Sequence, residues 1–167
     1  MENNKRYNII ITGGGTGGHL TPAFSIADNL KKNSLFDFKI EFIGSKHGLE
    51  SKLYNNRDEK TYLIDIVGIK RKITLYNIFY NVFVFPFKCM VSLIRVLKIF
   101  KKFKPSLVIG TGGYSSGIPL LVAVITKTNI ILQEQNAVLG LVNKMFAKRA
   151  KKVCFGFKPF KISNDIN

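Results

Sequence analysis

The sequence predicts an α/β fold with a doubly wound parallel sheet. Six short runs rich in β-branched residues alternate with helical patterns along the 167 residues, and this alternation is typical of parallel strands connected by helices. Glycine-rich or polar residues follow several of these runs, at the strand ends where open α/β sheets bind ligands. A chain of this length, 46% hydrophobic, is expected to bury a substantial core in one domain.

The strands are predicted near residues 7–12, 38–43, 61–66, 106–110, 129–133 and 152–155. The helices are predicted near residues 22–32, 49–54, 118–126 and 139–148, with one long or broken helix within 75–103. The first helix has an apolar stripe at helical spacing, formed by Ala23, Ile26, Ala27 and Leu30. Thr21 is predicted as its N-cap and Pro22 as its first residue, where a missing N–H is harmless.

Residues 13–18, between the first strand and the first helix, consist of five glycines and Thr16. Free backbone N–H groups and the positive end of the helix dipole make such a loop an anion site, and glycine lets a phosphate approach the backbone. We therefore predict a diphosphate there, although glycine clusters also form ordinary tight turns.

The same loop fits the dinucleotide-binding pattern at Gly13, Gly15 and Gly18. A dinucleotide site requires an acidic residue at the end of the second strand, about 20 residues further on. The second strand ends instead in Gly44-Ser45-Lys46, which argues against NAD. Lys46 leaves an NADP-dependent oxidoreductase open as an alternative enzyme class.

Two further strand ends carry segments suited to ligand binding. Residues 110–117 (Gly-Thr-Gly-Gly-Tyr-Ser-Ser-Gly) form a second loop that can face an anion or a sugar with its N–H groups. Residues 133–136 (Gln-Glu-Gln-Asn) place four polar side chains in succession. These side chains suit the hydroxyl and amide groups of a sugar, although a solvated turn could also contain them.

His19 and Glu134 are the candidates for general acid–base chemistry. Imidazole titrates near neutral pH, so a histidine beside a phosphate loop is suited to accept a proton from a sugar hydroxyl. An equally supported hypothesis is that His19 caps the helix or binds a phosphate oxygen. His47 is interpreted as a solvated loop residue.

The two cysteines, Cys89 and Cys154, are far apart and lack CxxC or metal-ligand spacing. We therefore predict buried thiols in a reducing compartment and no metal site. The apolar run that follows the polar N-terminus is too short for a signal peptide, which favours the cytoplasmic side.

The formal net charge of +16 predicts a negatively charged partner or surface. No Asp or Glu occurs between Ile66 and Gln133, whereas ten Lys or Arg do. Residues 73–87 are apolar and uncharged, but a bilayer span takes about 20 residues, and polar residues and Pro86 interrupt this run. No motif that reads DNA or RNA is recognised, so nucleic acid is not a predicted partner.

We predict that this segment docks on a membrane, with its apolar side chains in the headgroup region and its lysines against anionic lipid. The alternative is a core helix with a solvated basic face. The predicted docking residues are Leu75, Ile78, Phe79, Val82, Phe83, Phe85, Lys70, Arg71, Lys72 and Lys88.

Several motifs, in order along the chain, resemble those of the MurG family, the bacterial undecaprenyldiphospho-muramoylpentapeptide β-N-acetylglucosaminyltransferases. Residues 14–19 (Gly-Gly-Thr-Gly-Gly-His) resemble its first glycine loop and residues 112–117 its second. Residues 134–136 (Glu-Gln-Asn) and 140–144 (Gly-Leu-Val-Asn-Lys) resemble two later motifs. Residues 44–50 and 68–72 also fit the family, so the resemblance extends from Ile9 to about Phe157.

The resemblance implies the Rossmann-like, acceptor-side N-terminal domain of a two-domain GT-B glycosyltransferase. The family transfers N-acetylglucosamine from UDP-GlcNAc to lipid I, the undecaprenyl diphosphate-linked muramoyl pentapeptide, and forms lipid II for peptidoglycan synthesis. It inverts the anomeric centre, uses no metal or other cofactor, and is peripheral on the cytoplasmic face of the bacterial inner membrane.

The resemblance also implies roles for individual residues. His19 matches the residue proposed as base, and Glu134 and Tyr114 match residues that support catalysis. Donor UDP-GlcNAc contacts are implied for Thr16, Gly17, Gly18 and Asn136. Acceptor diphosphate contacts are implied for Gly14, Gly15, Gly112, Gly113, Ser115 and Ser116.

Residues 1–157 are predicted to form the acceptor-binding domain, and residues 158–167 a tail or the start of an interdomain connection. Members of the family are much longer, and we expect this chain to lack their C-terminal donor-binding domain and to be inactive alone. An alternative is a membrane-docking subunit of a split transferase, which recruits a separate chain bearing the donor site.

Overall fold

The computed structural model describes residues 6–47, 50–54, 57–70 and 72–159. Its strands are β1 (Arg6–Thr12), β2 (Asp37–Ser45), β3 (Lys60–Ile64), β4 (Leu107–Gly110), β5 (Asn129–Glu134) and β6 (Lys152–Phe155). They form one sheet in the order β3-β2-β1-β4-β5-β6, and every pair is parallel. The predicted α/β fold with a doubly wound parallel sheet is confirmed.

The helices are α1 (Gly17–Lys31), α2 (Glu50–Leu53), α3 (Leu75–Phe79), α4 (Phe85–Phe103), α5 (Gly117–Ile125) and α6 (Leu141–Phe146). A π-helical turn, Tyr80–Val84, joins α3 to α4, so the predicted long or broken helix is one helical segment with a change of pitch. Short 3₁₀ turns precede α5 (Tyr114–Ser116) and follow α6 (Ala147–Arg149). Residue 49, the predicted start of the second helix, lies outside the described residues.

Helix α1 begins at Gly17, and the prediction that it begins at Pro22 with Thr21 as N-cap is wrong. Thr16 is the N-cap and has an extended backbone (φ −142°, ψ 160°). The N–H groups of His19 and Leu20 bond to the Thr16 carbonyl at 3.2 and 3.4 Å, so the helix closes directly after the glycine loop. Pro22 is tolerated inside the helix because it forfeits only one bond, to a carbonyl of the first turn.

Strand β3 ends at Ile64 rather than at Ile66, where the sequence predicted its end. The Ile66 N–H bonds back to the Ile64 carbonyl at 2.7 Å in a tight turn. Ser45 Oγ then donates to the Ile66 carbonyl at 2.8 Å. This turn takes the chain out of the sheet and directs residues 65–70 across its carboxyl edge.

The sheet has a hydrophobic cluster on each face, because successive side chains of a strand point to opposite sides. On β1, Ile10 packs into the cluster that α4, α5 and α6 cover. Ile9 and Ile11 pack into the other cluster, beneath α1 and beside Tyr54. Helices on both faces explain why residues 9–11 of β1 and 107–109 of β4 are uninterrupted apolar runs.

An ion-pair network holds α1 onto the sheet. The Arg57 guanidinium bonds to Asp28 of α1 and to Glu59 just before β3, and it lies 5.0 Å from the Phe24 ring centroid. Burial opposes ionisation of Glu59, but hydrogen bonds from Arg57 and Lys31 outweigh it and hold the pKa of that carboxyl at about 2. The network thus anchors the second half of α1, and the N-terminus of the same helix reaches the glycine loops.

Candidate functional site at the junction of two glycine loops

The two glycine loops meet at the point where the order of the strands reverses. Strands β1 and β4 are neighbours, and Thr12 pairs with Gly110 at their carboxyl ends. The Thr111 N–H bonds to the Thr12 carbonyl at 2.9 Å, and the Gly14 N–H bonds to the Gly112 carbonyl at 3.2 Å. This junction is the topological switch point, where open α/β sheets bind their ligands.

The contact between the loops leaves no room for side chains at two positions. A Cβ on Gly13 would stand 1.8 Å from Thr111 Oγ1, and a Cβ on Gly113 would stand 1.8 Å from the Gly14 carbonyl oxygen. The φ angles of Gly14, Gly15, Gly112 and Gly113 are 155°, 91°, 92° and 80°, a region that favours glycine. The backbones of the two loops therefore pack directly against each other.

The N-terminus of α1 opens onto this junction. A Cβ on Gly17 would meet nothing within 4 Å, and one on Gly18 would meet only Thr16 Oγ1, at 3.7 Å. The first N–H groups of a helix have no partner within the helix, and the dipole of this 15-residue helix adds positive potential there. The arrangement is suited to an anion such as a phosphate.

His19 lies between the two loops, in the first turn of α1. Its Nδ1 is hydrogen bonded to Thr16 Oγ1 at 2.8 Å, and its backbone carbonyl accepts from Thr111 Oγ1 at 2.7 Å. A Cβ on Gly112 would stand 3.2 Å from His19 Nε2. Thr16 therefore sets the orientation of the ring, and Nε2 is the nitrogen beside the second loop.

Tyr114 covers the first glycine loop. Its ring carbon Cε1 would be 2.9 Å from a Cβ on Gly15, so the ring lies directly against that glycine. A Cβ on Gly68 would contact the same ring at 3.9 Å. Tyr114 therefore lies between the first glycine loop and the segment that leads from β3 toward α3.

Glu134 organises the loop that follows β5. Its side chain is buried, and its oxygens accept from Asn136 N and Nδ2 at 3.1 and 3.0 Å and from the Gly140 N–H at 2.9 Å. Asn136 itself is exposed. Glu134 is thus placed to position Asn136, which is the residue that a ligand could reach.

Asn143 is a third residue that is hydrogen bonded to Glu134, and the sequence analysis included it only as part of the motif at residues 140–144. It is 1% exposed, and its Nδ2 donates to Glu134 Oε2 at 2.9 Å and to the Gln133 carbonyl at 3.0 Å. A Cβ on Gly112 would stand 3.4 Å from this nitrogen. An asparagine inside a short helix, where asparagine is unfavourable, was the available signal.

Some of the predicted acceptor-binding groups are used within the protein. The Gly14 N–H bonds to Gly112, and the N–H and hydroxyl of Ser116 both bond to the Gly113 carbonyl, at 3.3 and 2.8 Å. Ser115 and Ser116 are completely buried. Contacts from Gly14, Gly15, Gly112, Gly113, Ser115 and Ser116 to a diphosphate stay predictions, and the α1 N-terminus is the most open part of the junction.

The predicted docking segment presents an apolar surface to solvent. Leu75 is 88% exposed and Phe83 is 62% exposed, whereas Phe85 is half-buried. Other exposed apolar residues along the segment are Ile73, Ile78, Phe79, Val82, Phe87, Met90 and Ile94. In the described part of the chain, none of the helices has the length and apolarity that a membrane crossing requires.

The predicted docking cations differ in their surroundings. The Lys70 ammonium lies 4.3 Å from the ring centroids of both Tyr76 and Tyr80. Lys72 is exposed, and Arg71 lies outside the described residues. Lys88 is paired with Asp65 at 3.4 Å, so its charge is partly neutralised within the protein.

His47 is partly solvated, as interpreted from the sequence, and it is also hydrogen bonded to Asp65. Its Nε2 lies 2.6 Å from Asp65 Oδ1, and Lys46 lies 3.2 Å from the other oxygen. Hydrogen bonds from His47, and then from Lys46 and Lys88, outweigh burial and hold the pKa of Asp65 at about 2. Within the described ranges, no group of three His, Cys, Asp or Glu could hold a metal ion.

The comparisons with known proteins agree with this geometry. Residues 9–155 match the model of the glycosyltransferase family 28 N-terminal domain. The chain is 40% identical over 154 residues to a UDP-N-acetylglucosamine–N-acetylmuramyl-(pentapeptide) pyrophosphoryl-undecaprenol N-acetylglucosamine transferase of Flavobacterium psychrophilum. That alignment covers 92% of this chain and 40% of the relative. A protein of the same name from Vesicomyosocius okutanii is 37% identical, with 96% and 45% covered.

Solved structures give the same result. The chain superimposes on Acinetobacter baumannii MurG with a TM-score of 0.75 and 28% identity, over 94% of this chain and 44% of the other. A UDP-GlcNAc 2-epimerase of Methanocaldococcus jannaschii shares the fold alone, with a TM-score of 0.54 and 15% identity over 89% and 38% of the chains. The resemblance to MurG is confirmed, and the chain spans less than half the length of these relatives.

The contact between the loops predicts that Gly113→Ala is strongly destabilising. The new Cβ would overlap the Gly14 carbonyl at a positive φ, and we expect a loss of about 3 kcal/mol in the free energy of unfolding. Gly117→Ala is the matched control, because its φ of −60° and open surroundings accept a methyl group. Urea unfolding measures both, and equal stability of the two variants would contradict the packing described.

Proposed function

The chain belongs to the glycosyltransferase family 28 N-terminal domain family, and on that premise we propose that it is the acceptor-side half of an inverting N-acetylglucosaminyltransferase. The donor would be UDP-GlcNAc and the acceptor lipid I, in keeping with the name of the Flavobacterium relative. The observation that carries the proposal is the junction of the two glycine loops with the open N-terminus of α1. A transfer between two diphosphate-bearing substrates needs an anion site of this kind.

The α1 N-terminus is the best-supported contact for phosphate. Gly17 and Gly18 have open backbone there, and Thr16 precedes them as the N-cap. We assign Thr16, Gly17, Gly18 and Asn136 to the donor nucleotide-sugar. The lipid diphosphate would lie along the adjoining loops, in contact with the backbone at Gly15 and Gly113. Gly15 directly precedes Thr16 in the first loop, and Gly113 directly precedes Tyr114 in the second.

His19 is proposed as the base for the acceptor hydroxyl. The C4 hydroxyl oxygen of the muramoyl unit forms a bond to the anomeric carbon of GlcNAc while the bond from that carbon to UDP breaks. The electron pair of the broken bond leaves on the β-phosphate oxygen of UDP, and the hydroxyl proton passes to His19 Nε2. The bond from Thr16 to Nδ1 supports this assignment because it orients the ring and fixes which nitrogen faces the junction.

Glu134 and Tyr114 are proposed to support catalysis without taking the proton. Glu134 holds Asn136 through two hydrogen bonds and is itself buried, so it acts as a positioning residue. Tyr114 lies against Gly15 and covers one side of the first loop. In this proposal Glu134 fixes the side-chain amide of Asn136 and Tyr114 fixes the backbone of the first loop, so that the substrates bind in one orientation.

We propose that the protein is peripheral on the cytoplasmic face of the bacterial inner membrane. The apolar segment from Leu75 to Phe83 is exposed, and Lys70 and Lys72 lie beside it. Both α3 and the glycine loops lie toward the carboxyl edge of the sheet. An acceptor whose lipid tail stays in the bilayer could therefore reach the junction with its diphosphate.

A second domain with the donor site is part of this proposal, because the relatives are more than twice as long as the aligned region. It could belong to the same polypeptide or to a separate chain. The NADP-dependent oxidoreductase has little support, because the Lys46 ammonium that would serve a 2′-phosphate is bound to Asp65. Family membership also favours the transferase.

The transfer reaction is tested by fusing this chain to the remaining part of the Flavobacterium relative. The fusion should move radiolabelled GlcNAc from UDP-GlcNAc to lipid I, and His19→Ala should lower kcat about 100-fold or more because a general base is lost. His47→Ala is the control and should retain activity, since His47 contacts Asp65 rather than the junction. A folded but inactive fusion would refute the activity, and full activity of His19→Ala would remove His19 as the base.

Membrane docking is tested by sedimentation of the chain with vesicles of phosphatidylethanolamine and phosphatidylglycerol. Phe83→Ser should weaken binding about tenfold, because a phenylalanine side chain no longer leaves water. Leu35→Ser is the matched control: Leu35 is 75% exposed but lies between α1 and β2, at the opposite edge of the sheet. Equal losses for both variants would contradict docking through this segment.

A further inference from the structure

Tyr54 lies directly below the first glycine loop, on the face of the sheet that α1 covers. It follows α2 and is 2% exposed. Its ring packs against Phe24 at 5.4 Å and Phe42 at 5.2 Å between centroids. Such a cage holds the ring in one place, and so it also fixes the position of the phenol oxygen.

Strand β2 makes room for this ring with a glycine. A Cβ on Gly44 would stand 2.6 Å from Tyr54 Cε2, which is closer than real atoms approach. Gly44 of β2 pairs with Leu63 of β3, so its backbone is held in the sheet. The absence of a side chain at Gly44 is therefore what allows Tyr54 to reach the loop above the strand.

The Tyr54 hydroxyl donates a hydrogen bond to the Gly13 carbonyl at 3.3 Å. The other end of the same peptide unit, the Gly14 N–H, donates to the Gly112 carbonyl at 3.2 Å. One peptide plane is thus held from below by Tyr54 and from the side by the second glycine loop. Its rotation would break both bonds.

The peptide unit between Gly13 and Gly14 is held by hydrogen bonds, and the two glycines that follow it can adopt many backbone conformations. Gly14 and Gly15 follow with φ of 155° and 91°, and glycine backbone loses more conformational entropy on ordering than any other residue. Thr16 and the first two residues of α1, Gly17 and Gly18, come next. The direction of the peptide between Gly13 and Gly14 therefore influences where the anion-binding amides lie.

We propose that Tyr54 is a positioning residue for the diphosphate site, acting through the Gly13 carbonyl on the first glycine loop. The inference rests on the proposed function, because it assumes that the loop binds a diphosphate. Tyr54 itself touches no substrate. Its hydroxyl fixes the loop before the ligand arrives, which lowers the entropy that binding must overcome.

The test compares Tyr54→Phe with the unchanged chain, using inorganic pyrophosphate as the probe. The variant keeps the ring and its packing, so it should fold, and the melting temperature should fall by only about 2–4 °C because one buried hydrogen bond is lost. Loss of one hydrogen bond should weaken pyrophosphate binding about fivefold and speed hydrogen exchange of the Gly14 amide by a similar factor. Tyr62→Phe, a hydroxyl deletion on β3, is the control and should change neither quantity.

The outcomes separate the two proposals. If the unchanged chain binds pyrophosphate and Tyr54→Phe binds it equally well, the positioning role of Tyr54 is refuted and the anion site stands. If the unchanged chain does not bind pyrophosphate, the diphosphate site of the proposed function fails, and the inference fails with it. Faster Gly14 exchange with unchanged affinity would make Tyr54 a structural residue only and would also refute the proposal.

Discussion

The structure of the site depends on direct packing between the backbones of two glycine loops. Gly13 and Gly113 have no room for a Cβ, because Thr111 Oγ1 and the Gly14 carbonyl oxygen occupy that space. The parallel pairing of β1 and β4 brings the loops together, and the bond from Gly14 to Gly112 joins them. Every other group of the junction is placed relative to this contact. His19 lies between the loops, and Tyr114 lies across the first of them.

The fold separates three tasks along the carboxyl edge of one sheet. The switch point between β1 and β4 supplies the proposed anion site. The loop after β5 supplies Asn136, which the buried Glu134 holds in place. The exposed apolar segment leading into α4 supplies the proposed membrane contact. Asp65 ties the start of α4 to the end of β2, since it pairs with Lys88 and with Lys46. An acceptor with a lipid tail and a diphosphate head matches this arrangement.

Features that depend on neighbouring residues could be predicted from the sequence. The six strands, the glycine loops and the order of the motifs depend on β-branched runs and on glycine, which act within a few residues. The start of α1 was wrong because Thr21-Pro22 is a good local start signal, whereas the hydrogen bonds to the Thr16 carbonyl close the helix earlier. The role of Tyr54 could not be predicted from sequence, because it depends on a contact between segments 41 residues apart. The pairing of His47 with Asp65 was missed for the same reason. Asn143 left only a weak local signal, an asparagine within a short helix.

The central claim is that the junction of the two loops binds a diphosphate whose lipid tail points away from the sheet. A crystal structure of this chain with farnesyl diphosphate tests it most directly. The account predicts that the diphosphate lies along the two glycine loops, in contact with the backbone at Gly15 or Gly113 and next to the N-terminus of α1. A structure with the junction empty, or with the diphosphate bound only to surface lysines of α4, would contradict it.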